Sequence, residues 1–242
     1  MDLVLDIGNT LQKAAVFTED SQMVALLRQK EIGISDLEAV FDEFGIKRAI
    51  MSSVAGVSSN VADWLARNTN AVALTPECKL PIAVKYSTSE TLGSDRIANA
   101  VGANALFPGQ NVLSIMAGTC LVADFVNSKN EYLGGSISPG LNMRFSALQH
   151  FTARLPLVKP EKTDFLSGDS TKKSILSGVI NGMVYEIEGF VGEYSKKYSG
   201  LKVILSGGDS EFFHNYIKKT IFAAQNPALL GLHKILLLNV PY

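Results

Sequence analysis

The chain has 242 residues, 47% hydrophobic and 19% charged, with 22 Lys and Arg against 23 Asp and Glu. This is enough for one large domain or two small ones, in a globular composition that is neither disordered nor supercharged. The near-balanced charge excludes an electrostatic nucleic-acid binder, and no run approaches the ~20 apolar residues that span a bilayer. Asp2 and Asp6 stand where a secretory signal would carry basic residues, so a cytoplasmic protein is expected. The two cysteines, Cys78 and Cys120, have no metal-type spacing, which points to a reducing compartment and no zinc.

In chain order, DLVLD (2–6) is an apolar run ending in an acid, Gly8-Asn9-Thr10 is a turn signal, and LQKAAVF (11–17) returns. Together they predict a β-hairpin, to which MVALLRQ (23–29) adds a third strand. ISDLEAVFDEFG reads as a helix with Ser35 as N-cap and Gly45 as stop. RAIMSSV (48–54) is a strand, SSNVADWLARNT (58–69) a helix with Trp64 on its apolar side, and IAVKY a strand. SDRIANAVGANALF (94–107) is a helix with an alanine-rich face suited to close packing, and FPGQ (107–110) is the candidate hinge.

The second half starts with another hairpin, NVLSIMAGTCLVADFV, followed by the strand YLGGSISPG and a helix from Leu141 to about Phe151. A polar loop (158–172) leads into the longest helix, and LKVILSGGDSEFFHNYI reads strand, glycine turn, helix. Setting LVLDIGNT (3–10) on LSIMAGTC (113–120) aligns Leu3 with Leu113, Asp6 with Met116 and Gly8 with Gly118. That constant offset suggests a duplicated α/β unit, with domains 1–108 and 109–242 and a cleft between the copies; chance similarity over eight residues is the alternative.

Three stretches could carry chemistry. In DIGNTLQK (6–13), Asp6 at a strand end could hold a hydrated Mg²⁺, Gly8 permits a turn whose N–H groups face phosphates, and Lys13 could neutralise them. The same residues could equally serve only hairpin geometry. LSGGDSEFF (205–213) ends a strand in Gly-Gly, where a nucleoside could lie against bare backbone. In TLGSDRIANAVGA (91–103), Ser94 reads as N-cap, Asp95 suits a general base and Arg96 an anionic substrate group, while capping with a surface ion pair is the plainer alternative. Neither a Walker A loop nor a dinucleotide turn is present. His150, His214 and His233 read as structural or exposed.

Taken together, DIGNTLQK, Tyr86 with ETLGSDRIANAVGA, AGT (117–119), GGSISPGLNMRFSAL, LP (155–156), GDSTKKSILSGV, LSGGD and PALLGL resemble the type III pantothenate kinases. That family lies in the superfamily of actin, acetate kinase and the sugar kinases. The resemblance implies an α/β fold of two duplicated ribonuclease-H-like domains (the actin-like ATPase fold). It implies ATP-dependent phosphorylation of pantothenate to 4'-phosphopantothenate, the first step of coenzyme A biosynthesis. By the same resemblance, Asp6, Ile7, Gly8, Asn9, Thr10, Leu11, Gln12, Lys13 and Thr119 would bind ATP, with Mg²⁺ reached by Asp6 through water. Tyr86, Gly93, Ser94, Asp95, Arg96 and Thr171 would bind substrate, Asp95 would accept its proton, and Thr171 would reach the site of a second subunit in a homodimer.

The family normally places an acid at the position of Met116, associated with an activating K⁺ or NH₄⁺. A thioether is a poor ligand for such a hard cation, so the site should be lost or weakened. The enzyme could then work without the cation, hold it weakly through carbonyls, or have lost activity; retention of Asp6, Lys13, Asp95, Arg96 and Thr171 favours activity. The alternatives are a non-catalytic relative that assists transcription, or a kinase of another small alcohol.

Overall fold

In the computed structural model, which describes residues 1–8, 10–53, 59–217, 222–223 and 226–240, three antiparallel strands open the chain. They are β1 (Asp2–Ile7), β2 (Gln12–Phe17) and β3 (Met23–Gln29), and the β1–β2 register sets Asp6 opposite Lys13. Then come α1 (Ile34–Phe44), β4 (Arg48–Ser53), α2 (Ser59–Asn68) and β5 (Asn70–Ala73). The sheet order is β3-β2-β1-β4-β5, with β4 parallel to both β1 and β5. The N-cap of α1 is Gly33 rather than Ser35, because the Asp36 carboxylate takes the Gly33 N–H at 2.8 Å and closes the first turn from within.

Alternate residues of this sheet enter two different cores. Leu3, Leu5, Ala14, Val16 and Ala49 pack with Leu37 of α1 and Val61 and Leu65 of α2. Val4, Ala15, Phe17 and Ile50 pack on the other face. Burial of both faces explains why DLVLD reads as a continuous apolar run.

The chain continues through β6 (Ala83–Val84), a single 3₁₀ turn at Ser89–Thr91, α3 (Ser94–Leu106), β7 (Val112–Ala117), β8 (Cys120–Val126) and β9 (Glu131–Pro139). After these come α4 (Leu141–His150), α5 (Thr171–Lys197), β10 (Lys202–Ser206), α6 (Ser210–His214), β11 (Phe222–Ala223) and α7 (Pro227–Asn239). The second sheet has the order β11-β10-β7-β8-β9-β6. Without β6, reading from β9, this repeats the first sheet strand for strand, and β7 and β10 are parallel as β1 and β4 are. Asp6 pairs with Ser52 in the first copy and Met116 with Ser206 in the second, so the aligned octapeptides occupy equivalent places. The duplication is a property of the fold. IAVKY contributes the two residues of β6 to a sheet, Ala83 and Val84 in register with Glu131 and Tyr132.

Two compact units form. One comprises Met1–Gly109, Val126–Leu133 and Asn226–Tyr242; the other comprises Gln110–Phe125 and Gly134–Gln225. The first stretch ends within the FPGQ segment, but each unit is discontinuous, since α7 and the tip of the β8–β9 hairpin pack with the first unit. α3 and α7 meet closely: a Cβ on Gly231 would lie 1.8 Å from the Ala98 carbonyl oxygen, and one on Gly102 would lie 1.8 Å from that of Pro227. The alanine-rich face of α3 thus buries Ala98, Ala100 and Val101 with Leu229, Leu232 and Leu236 of α7.

A buried polar cluster ties the N-terminal strand to α7. Asp2 and His233 are fully buried and Arg48 nearly so. Arg48 grips the Asp2 carboxylate with Nε at 2.9 Å and Nη2 at 2.5 Å, and its Nη1 donates to the Val240 carbonyl at 2.9 Å. His233 stacks on Phe17, with Nε2 2.9 Å from Asp2 Oδ2 and Nδ1 3.1 Å from Ser21 Oγ. Because Lys234 Nζ donates to Ser21 Oγ at 2.7 Å, the partners assign the ring proton to Nε2, with Ser21 donating to Nδ1. No helix among the described residues is long and apolar enough to cross a membrane.

Candidate active site

The C-terminal ends of β1 and β4 bring the first group of polar residues together. Asp6 lies beside Ser52 in the parallel register, and the Ser52 and Ser94 hydroxyls are 2.9 Å apart, which docks the start of α3 against these strand ends. Gly93 is the N-cap of α3, and Ser94 is its first residue rather than the cap. Asp95 follows in the first turn, with Oδ1 accepting the Arg96 N–H at 2.9 Å and Oδ2 left without a hydrogen bond among the described residues. Lys13 Nζ is 3.3 Å from Asp6 Oδ2. Burial pushes the Asp6 carboxyl above its ordinary value; Lys13 opposes this, and the charge of Asp95 adds to it. An ionised Asp6 is therefore under-compensated, a condition typical of groups awaiting a charged ligand.

Arg96 is 6% exposed, and its guanidinium carbon is 5.6 Å from the ring centre of Tyr86 and 6.0 Å from that of Tyr132. In the rest of the DIGNTLQK stretch, Ile7 ends β1, Gln12 starts β2, and Gly8, Thr10 and Leu11 are the described residues between them. A Cβ on Gly8 would be 3.0 Å from the Leu11 carbonyl oxygen, a tight contact; Thr10 and Leu11 are exposed, and Ile7 is buried. Asn9 lies outside the described residues. Gln12 Oε1 is engaged by the Ile32 N–H at 2.8 Å, on the α1 side of the hairpin. A cavity of about 370 Å³ beside Ile7 and Gln12 is walled by residues 31–35 and 60–61, and it touches neither Asp6 nor Lys13.

In the second unit, Gly118 and Thr119 alone connect β7 to β8, and Thr119 is exposed. Two backbones press on this turn. A Cβ on Gly140 would fall 2.1 Å from the Gly118 carbonyl oxygen, and one on Gly207 (φ +98°) 2.2 Å from that of Ala117. The PGL and SGGD segments are thus glycine-bearing so that they can clamp the Ala117–Thr119 turn, with Gly140 N–H donating to the Thr119 carbonyl at 3.1 Å and Asp209 N–H to that of Ala117 at 3.0 Å. Gly208, by contrast, faces open space. Arg144 anchors the clamp, with Nε on the Pro139 carbonyl at 2.8 Å and an ion pair to Glu186 of α5. Burial pushes the Asp209 carboxyl up.

Comparison with known proteins agrees with this layout. Residues 2–193 match the family model described as type III pantothenate kinase. The type III pantothenate kinase of Christiangramia forsetii is 42% identical over 240 residues, covering 99% of both chains. That of Cytophaga hutchinsonii is 42% identical over 242 residues, covering 99% of this chain and all of its own. The chain belongs to the type III pantothenate kinase family. Among solved structures, a putative 2-dehydro-3-deoxygalactonokinase from Sinorhizobium meliloti superposes with a TM-score of 0.62 at 14% identity, each chain fully covered. A putative Baf family transcriptional activator from Campylobacter jejuni gives 0.59 at 22% identity, with 96% of each chain covered. At these identities both speak for the fold alone, the α/β actin-like ATPase fold.

Within the family frame, the structure gathers Asp6, Lys13, Tyr86 and Gly93 to Arg96 in one unit and sets Thr119, Met116 and Thr171 in the other. Met116 is half-buried at the end of β7, and Thr171 is the exposed first residue of α5, after the N-cap Ser170. Sequence reasoning missed Ser52, Tyr132 and Asp209. Ser52 and Tyr132 carry no local signal, because strand pairing alone brings them to the site, whereas Asp209 stood in the SGGD segment. Trp64 packs edge-on against Phe41, and His150 and His214 are exposed.

Proposed function

We propose that this chain transfers the γ-phosphoryl group of ATP to the primary hydroxyl of pantothenate, giving 4'-phosphopantothenate, the first step of coenzyme A biosynthesis. The reading is carried by Asp95, held by the Ser94–Ser52 contact at the strand ends where Asp6 and Lys13 lie. Asp95 accepts the proton of the attacking hydroxyl through Oδ2, while Oδ1 stays on its own helix start. Arg96 receives the substrate carboxylate, flanked by Tyr86. Lys13 meets the phosphates at the β1–β2 turn, and Thr119 meets the nucleotide from its glycine-clamped turn.

Mg²⁺ fits Asp6: the carboxylate is largely buried, bears one 3.3 Å contact to Lys13, and is destabilised as an anion. Among the described residues no three acidic, His or Cys side chains converge, which suits an ion held by one carboxylate, water and substrate phosphates. When bound, Mg²⁺ would neutralise the phosphate charge that develops as the phosphoryl group moves.

Met116, the counterpart of Asp6 in the second copy, offers no hard ligand, so activity is expected without strong dependence on K⁺ or NH₄⁺. The experiment is a coupled assay of purified protein with ATP, Mg²⁺ and pantothenate in K⁺, Na⁺ and choline buffers, repeated for Met116→Asp. Pantothenate-dependent turnover of similar size in all three buffers is expected, with K⁺ activation appearing in the variant. No pantothenate-dependent turnover would remove the reading, and strong K⁺ activation of the unaltered chain would remove the account of Met116.

A cytoplasmic homodimer completes the reading. Phe151 (81% exposed), Leu157 and Leu166 (71% exposed) are exposed apolar residues in the stretch of chain before Thr171, which a second copy would cover. Light scattering should give twice the chain mass; a monomer at full activity would take Thr171 out of the site.

A further inference from the structure

α3 starts at an N-cap glycine whose backbone does not call for one. Gly93 has φ −57° and ψ 136°, values open to any L-residue. Its carbonyl accepts the Arg96 and Ile97 N–H groups at 3.1 and 3.2 Å, as a cap residue of any type could do. The conformational freedom of glycine is not used here, and the residue forgoes the side-chain oxygen that serine or aspartate would bring to an N-cap.

What the position uses is the missing Cβ. A Cβ on Gly93 would lie 2.5 Å from Asp95 Oδ1 and 3.7 Å from Asp95 Cγ, and beyond its chain neighbours it would meet no other atom within 4 Å among the described residues. That space is filled by the Asp95 carboxylate, which folds back over the helix start so that Oδ1 takes the Arg96 N–H at 2.9 Å. α1 gives the contrast. Its N-cap is also a glycine with an acid in the first turn, but a Cβ on Gly33 would be 3.7 Å from Asp36 Oδ2, an ordinary contact. Alanine would fit at the one cap and collide at the other. The helix start is held in place, because the Ser94 hydroxyl meets that of Ser52 at 2.9 Å and donates to the Ser53 carbonyl at 3.4 Å. The carboxylate end of Asp95 is the part that can swing, so a Cβ at Gly93 would expel it while leaving the backbone where it is.

We propose that Gly93 is a positioning residue for phosphoryl transfer, its missing side chain making the space in which the Asp95 carboxylate is held against the helix start. This rests on the reading that Asp95 accepts the proton of the attacking hydroxyl, and it gives Gly93 a role apart from any contact with substrate. A base works only within hydrogen-bond reach of the proton it takes, and a misplacement of about 1 Å can cost about 10²-fold in rate. A carboxylate driven off the Arg96 N–H loses the one contact that fixes its orientation.

The test uses the full chain with Gly93→Ala, Asp95→Asn and the two together, and with Gly33→Ala as the cap control. Single-turnover transfer at saturating ATP and pantothenate should fall by about 10–100-fold in Gly93→Ala, with pantothenate Kd within about twofold of the parent. In the Asp95→Asn background the same substitution should change the rate by less than about twofold, because no base remains to be misplaced. Gly33→Ala should transfer at the parent rate. A Gly93→Ala rate near that of the parent overturns the proposal. So does an equal loss in both backgrounds, a loss that appears in Kd, or a matching loss in Gly33→Ala, since each would set the Cβ against substrate or fold rather than against Asp95. Thermal unfolding gives a readout apart from activity. Gly93→Ala should be more stabilising, or less destabilising, in Asp95→Ala than in the parent, because the Cβ then finds empty space. A Gly93→Ala chain that fails to fold should for the same reason be rescued by Asp95→Ala, and equal shifts in the two backgrounds overturn the proposal. If Asp95→Asn is slow while Gly93→Ala is not, only the role of Gly93 fails; if Asp95→Asn transfers at the parent rate, the reading of Asp95 as base fails and this proposal with it.

Discussion

Replacing Arg48 by methionine is expected to destabilise the folded chain by about 3–5 kcal/mol, the range for removing one partner of a buried ion pair. The loss arises less from the pair itself than from what remains. Asp2 is fully buried, and without the two Arg48 N–H groups its carboxylate keeps only His233. The Val240 carbonyl at the end of α7 loses its donor as well. Adding Asp2→Asn should recover part of the loss, since an amide tolerates burial better than an uncompensated anion. Urea unfolding of the two variants beside the parent checks this, and equal stability of Arg48→Met and the parent would show that the cluster is not what fastens α7 to the first sheet.

The same cluster sets an acid limit. Burial pushes the Asp2 carboxyl up, but the hydrogen bonds and charges of Arg48 and His233 together outweigh it and hold the group below its ordinary 3.8. Burial holds His233 below its ordinary 6.5 despite Asp2, with Lys234 and Arg48 acting in the same direction as burial. Both groups bind protons less readily in the folded chain than in the unfolded one. The stability they contribute is therefore present above the unfolded values and is lost as pH falls, first below about 6.5 through His233 and then below about 3.8 through Asp2. His233→Gln should flatten the upper part of that fall.

The duplication was legible because its signal is local: an apolar run, a small residue at the turn and a return strand, repeated at a constant offset. The strands that close the two sheets were not. β5 has four residues and β11 two, and each is a strand only because a long parallel neighbour, β4 or β10, offers it a ladder. Asp6, Lys13 and Asp95 could be proposed from residue type and position, since a strand end and a helix start are places where charge can be used. Tyr132 could not, because its place beside Arg96 depends on a two-residue pairing between β6 and β9 that no periodicity announces. Caps misled in a consistent way: Ser35 and Ser94 suit the N-cap in isolation, but glycine takes it in both helices. In α1 the Asp36 carboxylate satisfies the cap's N–H, and in α3 the serine hydroxyl is engaged by Ser52. Met116 sits where the octapeptide alignment placed it, in register with Ser206 as Asp6 is with Ser52, so its chemistry is a departure within a conserved frame rather than a misalignment.

The largest effect on activity is expected at Asp95. Its position follows from three linked facts: Asp6 pairs with Ser52, Ser52 meets Ser94, and Ser94 precedes Asp95 at the start of α3. An amide at this position keeps the size and the acceptor oxygen that takes the Arg96 N–H, so the helix start should survive. It cannot accept the proton of a primary hydroxyl. A positioned general base contributes about 10²–10⁴-fold, so Asp95→Asn should lower kcat by about 10²-fold or more. Binding should change far less, because the proposed reading gives the carboxylate of pantothenate to Arg96 and not to Asp95. The decisive measurement is single-turnover phosphoryl transfer by purified Asp95→Asn, with pantothenate affinity measured on the same preparation. The account predicts a loss of about 10²-fold or more in the transfer rate with Kd within a few-fold of the parent. A transfer rate near that of the parent would contradict it.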